Sequence, residues 1–284
     1  MSYSNFSPSG FMLAIVLLNI ALMVPLHTLV NGQEEGDFTF SYQNGTQNPS
    51  DWGRLHEEWK ACLGEGHRQS PIDLDFSLGE VQNQFIGLKR SYNKSHITMI
   101  NRGQDIMMRF DNPYVGGFVH AGTTFYLRQL HWHHPSEHLI NGKRYAMEMH
   151  MVHTSFNGSE AAVLGFLYQN SSEIDDPFLC EVMRDIRNIS GKRGNQMDAG
   201  VIDPRDTIEN YHGYFRYAGS LTTPPCTEGV VWTVMEEIRN VSTKQLEMLK
   251  KATPEYEYNA RPLQKLDHRH IKLYQPDPSA PAPI

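Results

Sequence analysis

The sequence predicts a mainly β fold with short peripheral helices, and three observations predict it. From Gln69 to about Tyr274 the chain reads as short segments of alternating polarity, split by Gly, Pro and Asn. Helix signals are confined to two places, near Pro177–Ile189 and at Ser242–Ala252, where Ser242 precedes the spaced Leu246 and Leu249. The 284 residues carry no internal repeat and suit one large domain or two small ones, with enough chain to bury a core.

The first segment reads as targeting. Phe11 to Leu26 is apolar apart from Asn19 and Pro25, short for a membrane span, and Val30-Asn31-Gly32 forms a cleavage site before Gln33. Residues 1–32 are therefore expected to be a signal peptide, leaving no membrane span in the mature chain. The lack of Lys or Arg ahead of Phe11 keeps an uncleaved anchor as the alternative. Residues 33 to about 50 are polar and extended, the folded domain is expected over 33–274, and the Pro- and Ala-rich end, 275–284, is expected to be a loose, disordered tail.

Past the leader stand six Asn-x-Ser/Thr sites, Asn44, Asn93, Asn157, Asn170, Asn188 and Asn240. Chance would supply roughly two or three, so a glycoprotein surface is expected, in keeping with the secretory route. The formal charge of −7 and the absence of a long basic run exclude a nucleic-acid partner. Cys62, Cys180 and Cys226 permit one disulfide with one thiol left over, and no C-x-x-C pair exists to hold zinc. Nothing in the sequence sets an oligomeric state.

The chemistry concentrates in Gln129-Leu130-His131-Trp132-His133-His134-Pro135-Ser136-Glu137-His138. On a strand, residues two apart share a face, so Gln129, His131 and His133 point the same way. Asn141-Gly142 is a hairpin turn, and the return strand from Tyr145 to His153 puts Glu148, His150 and Val152 on one face. Such a hairpin can bring His150 across from His131 and His133. Three neutral imidazoles leave a fourth tetrahedral position for water, the pattern of a catalytic Zn²⁺ site. An H-x-H pair alone is weak, since chance supplies about 0.7 in a chain this rich in His; a second, His268-Arg269-His270, reads as surface or structural. The weight comes from Gln129 and Glu148, each two residues before a ligand and placed to accept its other ring N–H.

These residues resemble the α-carbonic anhydrases, particularly their plant members. The likeness spans about Phe40 to Tyr274 and includes Gln69-Ser70-Pro71-Ile72-Asp73, the Gln129–His138 run, Glu148–His153, Ser220-Leu221-Thr222-Thr223-Pro224-Pro225-Cys226 and Asn259-Ala260-Arg261-Pro262. The resemblance implies a single domain on a large, mostly antiparallel twisted sheet, and reversible hydration of carbon dioxide to bicarbonate. It implies zinc on His131, His133 and His150, with Thr222 accepting a hydrogen bond from the zinc-bound hydroxide and passing its own proton toward Glu137. Val152, Val163, Leu221, Val230 and Trp232 match the carbon dioxide pocket, and Thr223 lies near bicarbonate. His138 and His153 match structural histidines, and His134 is expected at the surface. By the same resemblance Cys62 pairs with Cys226, leaving Cys180 as a small buried residue beside Phe178 and Leu179.

The sequence departs from the family pattern at Gln104, where a proton-shuttling histidine is usual; Gln cannot titrate, so slowed proton release is expected. His67, His96, His120 and His134 are the candidate substitutes. The alternative is a zinc-binding storage or extracellular protein of the same fold with weak or no activity. A cupin-type metal oxidase is the second rival, but its downstream Gly/Pro/His motif is missing. The implied location is the secretory pathway, ending outside the cell or in the cell wall, with onward routing to an organelle such as the plastid left open.

Overall fold

The computed structural model describes residues 40–275, apart from 44, 46, 65, 83–87, 89 and 208–212. The expected leader, its cleavage point at Gly32, Asn44 and the tail beyond Gln275 lie outside the described residues.

Sixteen strands are described. The early ones are β1 (Asp73–Leu74), β2 (Gly79–Val81), β3 (Arg90–Tyr92), β4 (Ser95–Asn101), β5 (Ile106–Phe110) and β6 (Gly116–His120). The middle of the chain gives β7 (Thr123–His133), β8 (Leu139–Ile140), β9 (Lys143–Arg144), β10 (Met147–Thr154), β11 (Ala161–Asn170) and β12 (Gln196–Ile202). Last come β13 (Tyr214–Ser220), β14 (Glu228–Met235), β15 (Arg239–Val241) and β16 (Ile271–Tyr274). Thirteen strands form one sheet with the path β12-β4-β5-β7-β10-β11-β14-β13-β16-β2. Pairing is mostly antiparallel, as expected; the parallel pairs in this sheet are β11 with β14, β11 with β15, and β16 with β2.

The central strands are buried on both faces, and their sequence alternation sorts side chains between two cores. On β10, Met147, Met149 and Met151 enter the larger core with Phe166, Phe178 and Leu249. Val152 joins Val163, Trp232 and Phe215 in a second core on the opposite face. A small sheet of β1, β8 and β9 closes that second core with Leu74 and Ile140. The β8–β9 turn is Asn141-Gly142 with φ of 49° and 73°, the left-handed pair a type I′ hairpin requires.

Among the described residues three α-helices lie at the periphery: α1 (Trp52–Leu55), α2 (Pro177–Asn188) and α3 (Thr243–Ala252). Pro177 opens α2, and the Asp176 side chain accepts from Leu179 N at 2.8 Å. Ser242 and Gln245 form a capping box on α3, and the Gln245 amide also bonds Asp176 N and O at 2.8 Å each, tying the helices together. No helix among the described residues is long and apolar enough to cross a membrane.

One expectation on α2 is corrected. Cys180 is exposed, not buried. The buried stripe is Phe178, Leu179, Val182, Met183 and Ile186, and at 3.6 residues per turn position 180 falls outside it. Partial desolvation and the nearby Asp175 hold its thiol above the ordinary range, which lowers the thiolate fraction.

Cys62 and Cys226 form a disulfide across 164 residues. It sits beside Trp52, Phe40 and Trp59 and fastens the N-terminal segment to the loop after Thr223. Replacing both cysteines with Ser should cost about 4–5 kcal/mol in the chain-entropy model, read as a lower melting temperature. Alkylation of the native protein should label Cys180 alone; a Cys180 that reacts only after denaturation would contradict its placement.

Candidate metal centre

His131 and His150 face each other across the β7–β10 ladder, and Glu148 stands opposite His133. Strand periodicity then puts all three histidines on the face that looks into the second core. His131 Nε2 and His133 Nε2 approach to 3.1 Å. Two nitrogens of a tetrahedral Zn–N set stand roughly 3.3–3.4 Å apart, given bonds of about 2.0–2.1 Å.

Each ring is fixed through its other nitrogen. His131 Nδ1 meets Gln129 Oε1 at 2.8 Å, His133 Nδ1 meets the Asn259 carbonyl at 2.7 Å, and His150 Nε2 meets Glu148 Oε1 at 2.8 Å. All three partners accept, so all three nitrogens donate, leaving lone pairs on His131 Nε2, His133 Nε2 and His150 Nδ1. The three residues form a buried group that could hold a metal, with one ring nitrogen of each within 4.8 Å of the others. Burial lowers the pKa of His131 well below its ordinary value, reinforced by His133 and Arg102, and burial lowers His133 despite Glu137 beside it. Neutral imidazoles with converging lone pairs fit a zinc ion.

Glu148 does more than orient His150. Its Oε1 also accepts from His138 Nδ1 at 2.7 Å, while Oε2 accepts the backbone N–H groups of Glu137 and His138 at 2.9 and 2.8 Å. Burial pushes its carboxyl pKa up, but His138 and His150 hold it well below the usual carboxylate range. Gly165 stands opposite His150, where a Cβ would lie 3.1 Å from Glu148 Oε1. From His138 the bonding continues to Tyr217 (2.6 Å), Ser70 (2.8 Å) and Ser220, whose amide donates to Ser70 at 3.1 Å. Ser220 adjoins Leu221, Thr222 and Thr223, so the loop is tied to the metal centre by one buried chain.

A cavity opens over His131 and His150, with His133 behind its lining. It is lined by Gln129, His131, His150, Val152, Val163, Leu221, Thr222, Thr223, Pro224, Trp232 and Arg102. Val230 is buried in the second core but is not part of the lining. Glu137 is fully buried; Oε1 accepts from Arg261 N at 2.8 Å, and Oε2 lies 3.5 Å from His133 Nε2 with no hydrogen-bond partner among the described residues. No hydrogen bond joins Thr222 to Glu137 in this arrangement.

Gln104 is buried, and its carbonyl accepts from Asn259 Nδ2 at 2.8 Å; the side chain of its loop that lines the cavity is Arg102, held by Asp105 at 2.5 Å. None of His67, His96, His120 or His134 lines the cavity. His134 is corrected from surface to interior. It is 3% exposed because the Asn259 segment covers the end of β7, and desolvation pushes its pKa down to about 4. His153 is buried and bonds Tyr92 at 2.9 Å on the larger-core side. Of the described Asn-x-Ser/Thr sites, Asn93, Asn157, Asn170 and Asn188 are exposed and Asn240 is half-buried.

Asn259, Arg261, Tyr217 and Ser70 also support the site, and no spacing in the sequence marks them for that role. Arg261 Nη1 binds Gln69 Oε1 at 2.9 Å and the Ser70 carbonyl at 2.7 Å, and Nη2 binds the Cys62 carbonyl at 3.2 Å.

Fold and site together define a β-sheet protein with three buried histidines that could hold a metal ion beside an apolar-walled cavity. A family model described as eukaryotic-type carbonic anhydrase matches residues 47–275, and the chain belongs to that family of lyases. Alpha carbonic anhydrase 8 of Arabidopsis thaliana is 44% identical over 86% of this chain, which spans 63% of that relative's length. Alpha carbonic anhydrase 5 of the same plant is 40% identical over 94% of both chains. A crystal structure of dioscorin complexed with ascorbate superposes with a TM-score of 0.79 and 35% identity, over 85% of this chain and 100% of that one.

Replacing Glu148 with Gln puts an amide N–H₂ where two backbone N–H groups need an acceptor, or turns it against His150. Zinc affinity, measured by competition with a chelator, should fall about 10- to 100-fold. Unchanged affinity would mean that Glu148 does not set the ligand tautomer.

Proposed function

We propose that this protein hydrates carbon dioxide reversibly to bicarbonate and a proton, with zinc on His131, His133 and His150. The observation that carries the reading is the set of three converging ring nitrogens, each deprotonated because its partner nitrogen donates to a fixed acceptor. When bound, zinc lowers the pKa of a ligating water to about 7 and so supplies a nucleophile at neutral pH.

The protein's own groups do the rest. Val152, Val163, Leu221 and Trp232 hold carbon dioxide against a dry wall, where water cannot compete for the site. Glu137 Oε2 is left without a partner among the described residues, and a Thr222 hydroxyl turned to donate to it would have only its oxygen lone pairs to offer the nucleophile, which would orient the attack on carbon. Thr223 and Arg102 flank the product's path out. The three histidines are tested by metal analysis and a hydration assay. One zinc per chain is expected, lost with most activity in His150→Ala; full zinc in that variant would remove His150 from the set.

Proton release is the slow step in this proposal. Gln104 does not titrate, and the lining offers no imidazole other than those of the metal centre. Passing a proton from pKa about 7 directly to water is uphill by about 9 pKa units, or roughly 12 kcal/mol. That barrier caps turnover at about 10⁴ per second, about a hundredfold below the roughly 10⁶ per second of the fastest zinc-dependent hydration. Turnover should rise with the concentration of an imidazole-type buffer while kcat/KM stays level. Fast, buffer-independent turnover would contradict this part of the account. Gln104 and the dioscorin likeness also favour a second reading, an extracellular or storage protein of weak activity, which a zinc-loaded protein inert toward carbon dioxide would support. The Cys62–Cys226 disulfide and the plant relatives support a secretory location.

A further inference from the structure

The β10–β11 loop, Ser155 to Glu160, carries one of the Asn-x-Ser/Thr sites on a tight turn. Gly158 N donates to the Ser155 carbonyl at 3.0 Å, with Gly158 at φ 70°. Asn157 Oδ1 accepts from Ser155 Oγ at 2.9 Å, Ser159 N at 3.2 Å and Ser159 Oγ at 2.8 Å. The amide oxygen is thus turned into the loop, and the side-chain N–H₂ of this exposed residue faces outward. At the other described sites Asn170 Oδ1 accepts from Thr243 and Asn240 Oδ1 from Gln169, donors remote in sequence rather than in the same loop; Ser95 after Asn93 is buried, and Ser190 after Asn188 donates to the Ile186 carbonyl.

Beside Asn157 stands an aromatic ledge that the fold does not use. Phe156 is 70% exposed and Tyr114 is 56% exposed, yet their rings stack at 6.1 Å and 24°. Tyr114 meets Tyr126 edge-on at 5.9 Å, and Arg128 lies over Tyr126, so the ledge has a fixed base. Stacked rings open to water on one side form an apolar surface in search of a cover. We infer that Asn157 carries an N-linked glycan whose first sugar lays its C–H face on the Tyr114–Phe156 pair. The inference rests on the secretory reading above. In the transfer, Asn157 Nδ2 attacks C1 of the sugar on a lipid-diphosphate oligosaccharide; the Nδ2–C1 bond forms, the C1–O bond breaks, and the amide proton leaves with the lipid diphosphate. Once attached one residue from Phe156, the sugar meets the rings intramolecularly, so even a weak contact is populated.

The test uses the full chain expressed through a plant secretory pathway, with peptide mass spectrometry of every site. Occupied Asn157 is the expected result. A bare Asn157 with other sites occupied overturns the inference and leaves the secretory reading standing; a recovered protein with no site occupied overturns both. Stacking is read separately, from wild type and a Tyr114→Ser/Phe156→Ser variant, each produced with and without a block on oligosaccharide donor synthesis. Glycosylation should raise the melting temperature by about 2–4 °C in wild type and by less than about 1 °C in the variant. Equal shifts in the two proteins would overturn the stacking.

Discussion

The structure turns on one buried carboxylate. Glu148 has no exposed surface and fills both oxygens, two imidazole N–H groups on Oε1 and two backbone N–H groups on Oε2. Burying a carboxylate in an apolar interior is costly, and here charge-assisted bonds from all sides offset that cost. Removing any one partner would leave one of the four acceptor positions unsatisfied where water cannot reach it. Both imidazoles are therefore held in one tautomer, and the segment between His133 and Leu139 is held by its backbone. The candidate metal centre inherits its geometry from this arrangement.

The same carboxylate decides between two candidate groups. His138, Glu148 and His150 also lie close enough together to hold a metal. In that group Glu148 Oε1 already accepts from both histidines, so the nitrogens facing it carry protons and no lone pair is left for an ion. His131, His133 and His150 present lone pairs instead. His150 thus faces two ways, donating to Glu148 through Nε2 and offering Nδ1 to the cavity. His138 relays the constraint through Tyr217 and Ser70 to Ser220, and the disulfide fastens the far end of that loop. A ligand strand and a substrate-facing loop distant in sequence are held in register by groups that touch neither substrate nor metal.

What the sequence made legible follows from the range of each signal. His131, His133, His150, Gln129 and Glu148 lie on two adjacent strands, and a period of two reports their shared face directly. The start of α3 at Ser242 is a local signal and was readable for the same reason. Asn259 and Arg261 reach the site from more than a hundred residues away, and no spacing within one sequence encodes that approach. His134 was misplaced because its burial is supplied by that same remote segment. Cys180 was misplaced because its flanking Phe178 and Leu179 face the core while helix phase turns it outward. Gln104 and Arg102 belong to one short loop, and sequence order alone does not tell which side chain meets the cavity. The two-residue strands β1, β8 and β9 carry too little alternation to be read as a separate sheet.

The most direct test of this account is a zinc-edge anomalous difference map from crystals of the metal-loaded protein. The account predicts a single peak about 2.0–2.1 Å from His131 Nε2, His133 Nε2 and His150 Nδ1, with Glu148 Oε1 still bonded to His138 and His150. A peak on Glu148 Oε1, or coordination through His150 Nε2, would contradict it.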